Sequence, residues 1–528
     1  MKNKRYFKFV SLVTIFIVSI TSLVGCGGSQ NETTSSNTDK KSEITIGISA
    51  EPSTIDPHIQ SGTATRLIKQ NIYRGLVQYK QDSTIGLELA ESYKISDDGL
   101  TYTFNIKPEA KFHDGSDVKA EDVKFSIERI MDEKTGATFG TDFRNVVDRC
   151  EVVNDKTVNI ILKKPCTSFI DMLALPESAI VSKSWCESHN NDLNSNPMGN
   201  GPYKFDSWDK GREIVVTAFD KYYKASKPET KSIKFVFSTD ETTRVNSLRS
   251  GEFDIVDYVS SKNVISLESE ENVEVQNSIA PIMLLQFNCK EGPLSDPRVR
   301  QAISYAIDRD GVINAAFMGR GKAIYGFPTL VGQNGYDGKY DNYFSYNLDK
   351  AKQLLAEAGY PNGFSTKLLA TSTYEMHKQT ALVVQDSLKK IGIEVEVELP
   401  DWSTRIERSN KGDYGILVSG TTGNIVDMDW CTNYFLSGEP RMNSSAWFAD
   451  AKIDELLEKG RTTLDPDERA KIYDQFRERA LELSPFVFIN YREQSFAISK
   501  AVHEFKNLDG ILTYYSGSTL ENTYVDNK

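Results

Sequence analysis

The residues with the clearest chemical potential are two aspartates, Asp427 and Asp429, which lie two positions apart beside Trp430. In an extended strand, side chains two residues apart point to the same face, so both carboxylates would meet one ligand. Such a pair is suited to binding a cation or an amine. The alternative is a solvated loop without a ligand, and the residue types alone favour that interpretation.

No recognised catalytic motif accompanies this pair. The sequence has no GxSxG, HExxH, P-loop or EF-hand pattern. Its five histidines are scattered and none stands at ligand spacing from another. Nothing in the sequence specifies a glycosidase carboxylate pair. We therefore expect no catalytic residue, no metal and no cofactor.

Composition and charge narrow the class of protein and its possible partners further. The chain has 528 residues, 39% of them hydrophobic and 26% charged, which is typical of globular proteins. This length suggests two to four domains at roughly 100–200 residues each. The net charge is −12, and residues 1–25 carry four basic residues and no acid, so the rest of the chain is more acidic still. An acidic body without a basic run argues against nucleic acid as a partner.

The N-terminal segment is typical of an export signal. A basic head precedes a stretch from Phe9 to Leu23 without charge, which is too short for a membrane span. It ends in Leu23-Val24-Gly25-Cys26, which resembles the bacterial lipobox, where the cysteine is lipidated and becomes the new N-terminus. We predict a signal peptide over 1–25 and a lipid-anchored flexible tether over 26–42, rich in Gly, Ser, Thr and Asn. An ordinary secretory signal is the alternative.

Five cysteines remain beyond Cys26: Cys150, Cys166, Cys186, Cys289 and Cys431. Because five is odd, at least one thiol is unpaired. Export permits a disulfide, and Cys150 and Cys166 flank a predicted hairpin. Buried free thiols are the equally acceptable alternative.

The elements that must position these residues follow from apolar periodicity and end signals. Alternating patterns predict strands at 43–49, 100–106, 151–163, 253–257, 393–399 and 486–489. Helical spacing predicts helices at 66–73 and 375–390, a helix capped by Ser116 or Asp117, and a helix starting at Asp465-Pro466. It also predicts a helix at 241–248, capped by Asp240 and ended by Gly251, and one at 351–358, capped by Asn347. Strands and helices alternate in the second half, which indicates α/β layers.

Several separated motifs together resemble one family. They are Glu51-Pro52 to Asp56-Pro57, Leu89-Ala90-Glu91-Ser92-Tyr93, Asp98 to Phe104, Lys111-Phe112-His113-Asp114-Gly115, Lys119-Ala120-Glu121-Asp122-Val123, Asn200-Gly201-Pro202-Tyr203, Leu248 to Asp254, Asp296 to Asp308, Ala351 to Gly359, and Lys390-Ile391-Gly392-Ile393. In order and spacing, this set is similar to the peptide/nickel class of ABC-transporter solute-binding proteins, the extracytoplasmic oligopeptide- and dipeptide-binding lipoproteins. Most of these motifs are expected to serve the fold and not to contact the ligand.

The resemblance implies a two-lobed α/β fold of the periplasmic-binding-protein type II kind, closing over a ligand. Lobe I would comprise 43–86, 195–285 and 490–528, with an inserted subdomain at 87–194. Lobe II would comprise 286–489. The crossovers near 286–288 and 488–490 would form the hinge.

The resemblance also implies ligand residues. Dipeptide-binding relatives use an aspartate to pair with the peptide's α-amine, and Asn424 stands at that position here, so Asp427 or Asp429 would have to replace it. The family's carboxylate-binding arginine is absent from 373–378, where Lys378 offers only a point charge. Tyr374 and Trp430 would stack on the ligand, whereas Trp402 is expected to pack in the core.

The resulting hypothesis is a monomeric lipoprotein on the extracytoplasmic face of the cell membrane. It would capture a short peptide or related small solute and deliver it to ABC permease and ATPase subunits, without being an enzyme. The alternatives are a receptor for nickel or a metal chelate, a receptor for a modified peptide, sugar or opine, a signalling receptor, and a secreted hydrolase.

Overall fold

The computed structural model describes residues 40–59, 63–225, 228–328, 338–421, 423 and 425–527. The predicted signal peptide, Cys26 and most of the predicted tether lie outside these residues. Residues 40–42, assigned to the end of the tether, are bound to the folded body. Lys40 forms a β-bridge with Asp526, and the amide of Lys41 donates to the Val525 carbonyl.

The strands carry the framework of the molecule. They are β1 Glu43–Ile48, β2 Val77–Tyr79, β3 Ile85–Leu87, β4 Ala90–Ile95, β5 Thr101–Ile106, β6 Val147–Asn154, β7 Thr157–Leu162, β8 Tyr203–Asp209, β9 Glu213–Ala218, β10 Ser232–Phe237, β11 Ile255–Val256, β12 Val273–Phe287, β13 Gly321–Ala323, β14 Phe364–Leu369, β15 Ile393–Glu398, β16 Ile416–Thr421, β17 Phe486–Ser499, β18 Val502–His503 and β19 Tyr524–Val525.

Helices cover and connect the strands. The α-helices are α1 Thr63–Ile72, α2 Ala120–Met131, α3 Gly140–Val146, α4 Phe169–Leu173, α5 Lys183–Ser188, α6 Glu241–Ser250, α7 Ser261–Leu267, α8 Pro297–Ala306, α9 Arg309–Phe317, α10 Leu348–Glu357, α11 Glu375–Lys389, α12 Trp402–Lys411, α13 Thr432–Phe435, α14 Ala451–Thr462 and α15 Pro466–Leu483. The 3₁₀ helices are Glu133–Thr135, Pro176–Ser178, Pro293–Ser295, Met428–Cys431 and Gly510–Glu521. In the described part of the chain, no helix is long and apolar enough to cross a membrane.

A large mixed sheet runs through most of the molecule. Its strand order is β15-β14-β16-β12-β17-β11-β1-β10-β9-β8, and β13 also pairs with β17. The two longest strands, β12 and β17, lie side by side and antiparallel, from Val273 opposite Ser499 to Gln286 opposite Phe486. One wing of the sheet begins at β16 and the other at β11. The two wings are therefore joined through β12 and β17.

A second sheet lies within the region predicted as an insertion. Its order is β4-β5-β7-β6, and helix α2 packs against β6 and β7. Tyr102, Phe104 and Ile106 of β5 alternate into the core, as the sequence pattern predicts.

Most predicted helix ends are confirmed. Asp240 caps α6 by accepting from the amide of Thr243, and Gly251 ends the helix with φ of 79°. Asn347 and Asp465 likewise cap α10 and α15. The predicted cap of α2 by Ser116 or Asp117 is wrong, because Lys119 is the N-cap residue and the helix begins at Ala120.

The start of α2 is fixed by a carboxylate inside the helix. Lys119 is the N-cap residue, and its amide donates to the Asp122 side chain at 2.9 Å. The other carboxylate oxygen of Asp122 accepts from the amide of Lys183. Asp117 instead pairs with Lys111 on the surface, so it is not available to the helix.

All five cysteines of the described region are free thiols. Four are buried and Cys289 is half-buried. The interpretation as buried free thiols is therefore the better one, and the structure contains no Cys150–Cys166 disulfide.

Candidate functional site

The segment Asp427 to Trp430 forms a tight turn after β16. Residues Met428–Cys431 are a 3₁₀ helix, and the Asp427 carboxylate caps it by accepting from the amide of Asp429 at 2.8 Å. The strand geometry that would place both aspartates on one face is absent here. The reason is local, since an aspartate two residues before a free amide competes with the extended backbone by forming this turn.

Each aspartate is held by its own arginine. Arg469 binds Asp427 through two parallel hydrogen bonds of 2.7 and 2.5 Å. Arg461 binds Asp429 at 2.9 Å, with its Nε at 3.0 Å from the same oxygen. Bidentate arginine pairs of this kind are among the stronger charge-assisted contacts in proteins. Neither carboxylate can pair with a ligand amine in this arrangement unless an arginine is displaced.

Asp429 also connects distant parts of the chain. Its carboxylate accepts a hydrogen bond of 2.6 Å from the Ser168 hydroxyl and one of 2.7 Å from Thr432. Next to it, the amide of Thr167 donates to the carbonyl of Arg461 at 3.0 Å. Residues 167–168 belong to the predicted inserted subdomain, whereas 429–461 belong to predicted lobe II. Asp429, with Ser168, Thr432 and Arg461 bound to it, thus links these segments, and we call these four residues the clasp.

A second contact of the same kind involves Asp171. The Tyr79 hydroxyl donates to Asp171 at 2.7 Å and accepts from the amide of Val426 at 3.3 Å. Burial, followed by the charge of Asp427, raises the pKa of Asp171 to about 7. This carboxyl group therefore changes charge near neutral pH.

A cavity of about 360 Å³ opens beside the two contacts. Its lining includes Asp171, Asp427, Arg469 and Tyr473. The volume is within the range of small-molecule pockets. Arg469 is paired with Asp427, whereas Asp171 accepts a hydrogen bond from the neutral Tyr79 hydroxyl and has no arginine partner among the described residues.

Trp430 is a core residue in this structure. Its side chain is buried, with ring centroids 5.2 Å from Tyr434 and 6.4 Å from Phe327. The close approach of Gly423, whose hypothetical Cβ would lie 3.4 Å from the indole, fills another side. Its surroundings are therefore those of a packing residue.

Tyr374 lies in a different group of residues. It is half-buried at the start of α11, and its ring meets Trp402 edge-on at 5.1 Å. Trp402, expected to be a packing residue, shares this aromatic group with His377, whose ring is 6.0 Å away. The structure brings Asp427, Asp429 and Trp430 together in one turn and places Tyr374 in this aromatic group. Asn424 lies outside the described residues.

Sequence reasoning missed the arginines around these two groups. Arg461 and Arg469 come from α14 and the first turn of α15, where basic residues at irregular spacing carry no motif. Arg492 gave a signal, because an arginine inside the otherwise buried strand β17 is unusual. Arg405, in the first turn of α12, follows Trp402 by one helical turn, which places both side chains on one face.

Comparison with known proteins identifies the family. The model of "Bacterial extracellular solute-binding proteins, family 5 Middle" matches residues 84–443, more than half of the chain. Such proteins bind solutes for ABC importers and are not enzymes.

Individual relatives agree over most of the chain. The glutathione-binding protein GsiB of Escherichia coli O1:K1 is 28% identical over 84% of this chain and 88% of its own. The PBP AgaA of A. tumefaciens R10, solved with agropinic acid, is 46% identical with a TM-score of 0.85, covering 92% of this chain and 99% of its own. DppA of Helicobacter pylori, solved with the peptide STSA, is 27% identical with a TM-score of 0.82 at 92% and 99% coverage.

These matches confirm the predicted type II binding-protein fold. They also confirm the family predicted from the scattered motifs. The chain belongs to family 5 of the bacterial extracellular solute-binding proteins.

Proposed function

We propose that this protein captures a short peptide or peptide-like solute in a cleft between two lobes and delivers it to an ABC importer. The lobes would be those predicted from sequence, with 43–86, 195–285 and 490–528 in lobe I, 87–194 inserted in it, and 286–489 in lobe II. We further propose a monomer anchored through lipidated Cys26 on the extracytoplasmic face.

The observation that carries this proposal is the pairing of β12 with β17. The two predicted crossovers fall on these strands, and Leu284 stands opposite Phe488 in the ladder. Both chain crossings between the proposed lobes are therefore adjacent, as a hinge requires. The ladder is irregular nearby, with register shifts between Ile279 and Ile282 and between Met283 and Leu284. Such bulges bend a strand locally.

Two solved relatives support a peptide as the ligand class. DppA of H. pylori was solved with a tetrapeptide, and AppA of Bacillus subtilis, 25% identical, with a nonapeptide. The name of GsiB also specifies a peptide-like compound, glutathione.

An opine is the second candidate, favoured by a specific observation. AgaA, solved with agropinic acid, shares 46% of its residues with this chain, well above the peptide-binding relatives. In addition, Asp427 and Asp429 are occupied by arginines, so the usual amine-binding carboxylate has no free replacement in this turn.

The test is a thermal-shift screen of the purified chain with di- to pentapeptides, glutathione and agropinic acid at millimolar concentration. A ligand that binds only the folded state raises the melting temperature, and the rise grows with the logarithm of its concentration once this exceeds Kd. We expect at least one of these compounds to do so, and a shift from agropinic acid alone would favour the second candidate. No shift from any of them would refute both.

A further inference from the structure

Among the described residues nine arginines are buried, and seven of them have a carboxylate partner or donate to several backbone carbonyls. The Nε atoms of Arg244 and Arg477 have no hydrogen-bond partner in that part of the chain, but each of these arginines forms an ion pair with an aspartate. Arg66 and Arg129 pair with the carboxylates of Glu177 and Asp56. Arg309 has no acid, but its guanidinium donates to four backbone carbonyls. A buried guanidinium without such partners is costly, because its charge has lost water without gaining an equivalent contact.

Arg405 departs from this pattern. Only 1% of the residue is exposed, and its Nε is buried without a hydrogen-bond partner in the described structure. One terminal nitrogen donates to the Val418 carbonyl and to the Ser419 hydroxyl, each at 3.0 Å. Burial lowers the pKa of Arg405 to about 10, and no described carboxylate forms an ion pair with it.

Arg492 departs from the pattern in the same way. It is 8% exposed, and its Nε is likewise buried without a partner among the described residues. Its remaining contacts are long, at 3.3 Å to the Glu493 carbonyl, 3.4 Å to the Gln494 side chain and 3.5 Å to the Tyr258 hydroxyl. None of these three accepting atoms belongs to an anionic side chain.

The two arginines belong to the surroundings of one buried ring, that of His377. The Trp402 ring centroid lies 5.0 Å from the Arg405 guanidinium and 6.0 Å from the His377 ring. Toward Arg492, a Cβ on Gly420 would lie 3.8 Å from His377 Nε2, and Met283 of β12 stands opposite both Gly420 and Asn490 in the ladder. Burial, followed by the charges of Arg405 and Arg492, lowers the pKa of His377 to about 3. The Nδ1 of this histidine is also buried without a hydrogen-bond partner in the described structure. Three unsatisfied nitrogen atoms therefore converge on one region, and two of them carry positive charge.

Aromatic side chains surround this region from both wings of the sheet. Trp402 and Tyr374 come from the starts of α12 and α11, and the Arg405 guanidinium lies 5.0 Å from the Trp402 ring centroid. Tyr258 follows β11 in the other wing, and Arg492 lies 5.7 Å from its ring centroid. Tyr258 adopts φ of 52°, a backbone conformation rare for a bulky residue and frequent at binding sites.

We propose that Arg405 and Arg492 form a subsite for a carboxylate group of the imported solute, with Tyr374, Trp402 and Tyr258 flanking it. This inference rests on the proposed function and specifies the ligand chemistry. An acid group supplies the missing anion, and each unpartnered Nε–H is a donor for it.

The test compares each acid with its uncharged counterpart. Binding of Ser-Thr-Ser-Ala and of agropinic acid to the purified chain is measured by calorimetry, beside the peptide's C-terminal amide and the methyl ester of agropinic acid. We expect at least one acid to bind about a hundredfold more tightly than its neutral counterpart. Acid and neutral compounds that bind equally would overturn this inference and leave the proposed function intact. No binding by any of the four compounds would overturn this inference, and the wider screen of peptides and glutathione would then decide the proposed function.

Matched variants locate the subsite. In Arg405→Met and Arg492→Met, we expect the preference for the acid to fall about a hundredfold, while exposed Arg149→Met retains it. The ligand-free melting temperature should be unchanged or higher in the two subsite variants, because each removes an uncompensated buried charge. Arg309→Met leaves four backbone carbonyls without their donor, so its melting temperature should be lower than that of the wild type. Retention of the preference in both subsite variants would overturn the assignment.

Discussion

The clasp around Asp429 gives a quantitative test of whether this aspartate serves the fold or the ligand. Asp429→Asn keeps the shape of the side chain but leaves the Arg461 guanidinium without its anion. Breaking a buried ion pair from one side costs about 3–5 kcal/mol. The side chains of Asp429 and Arg461 are 2% and 17% exposed, so water can reach part of the guanidinium. We therefore expect the lower end, about 3 kcal/mol of unfolding free energy.

The assay is urea unfolding of the ligand-free chain, followed by far-UV circular dichroism, for Asp429→Asn, Arg461→Gln and the double variant. The double variant removes both charges, so it should be more stable than the sum of the single losses by about 1–3 kcal/mol. Ser168→Ala serves as a control for the neutral part of the clasp, and it should cost about 1 kcal/mol.

Solute affinity measured in parallel decides the interpretation. If Asp429 acts only in the fold, its asparagine variant binds the identified solute with nearly the affinity of the wild type. A loss of unfolding free energy below about 1 kcal/mol, together with a large loss of affinity, would refute the reasoning and assign Asp429 to the ligand.

Three further predictions follow from the described residues. Burial keeps the pKa of Asp171 near 7 in the folded state, above its unfolded value, so protonation of this carboxyl group favours the folded state. The melting temperature should therefore fall as the pH rises from about 4 to 7, and Asp171→Asn should flatten this dependence. With Cys26 replaced by serine, thiol titration of the unfolded chain should count five free thiols, and half-buried Cys289 should react first in the native protein; a lower count would indicate a disulfide. Gly201→Ala should lower the melting temperature strongly, because the added Cβ would lie 2.5 Å from the Asn71 carbonyl oxygen. Gly211→Ala, at an open surface turn with φ of 77°, adds only backbone strain of about 1–2 kcal/mol and should lower it less.

Much of the fold could be predicted because its signals are local. The alternation in β1, β5 and β15 and the caps Asp240 and Asp465 are readable one element at a time. The order of the large sheet is a property of contacts far apart in sequence, so no local pattern predicts it. The start of α2 was missed because Asp122, inside the helix, supplies the side-chain acceptor that Ser116 or Asp117 was expected to provide.

The candidate site was less predictable for a physical reason. Asp427 and Asp429 have the right residue types for binding an amine, but their partners lie 42 and 32 residues away, on helices without a motif. Whether a carboxylate is free depends on such distant partners. Arg405 and Arg492 show the converse, since their significance lies in missing partners that only three-dimensional packing reveals.

The most direct test of the central claim is recovery of the solute after binding. The purified chain is saturated with the tetrapeptide Ser-Thr-Ser-Ala, glutathione or agropinic acid, separated from excess and unfolded, and the released compound is identified by mass spectrometry. A solute-binding protein predicts one equivalent of at least one of these compounds, released unchanged. Release of hydrolysed fragments, or no retained compound in any of the three cases, would contradict the account.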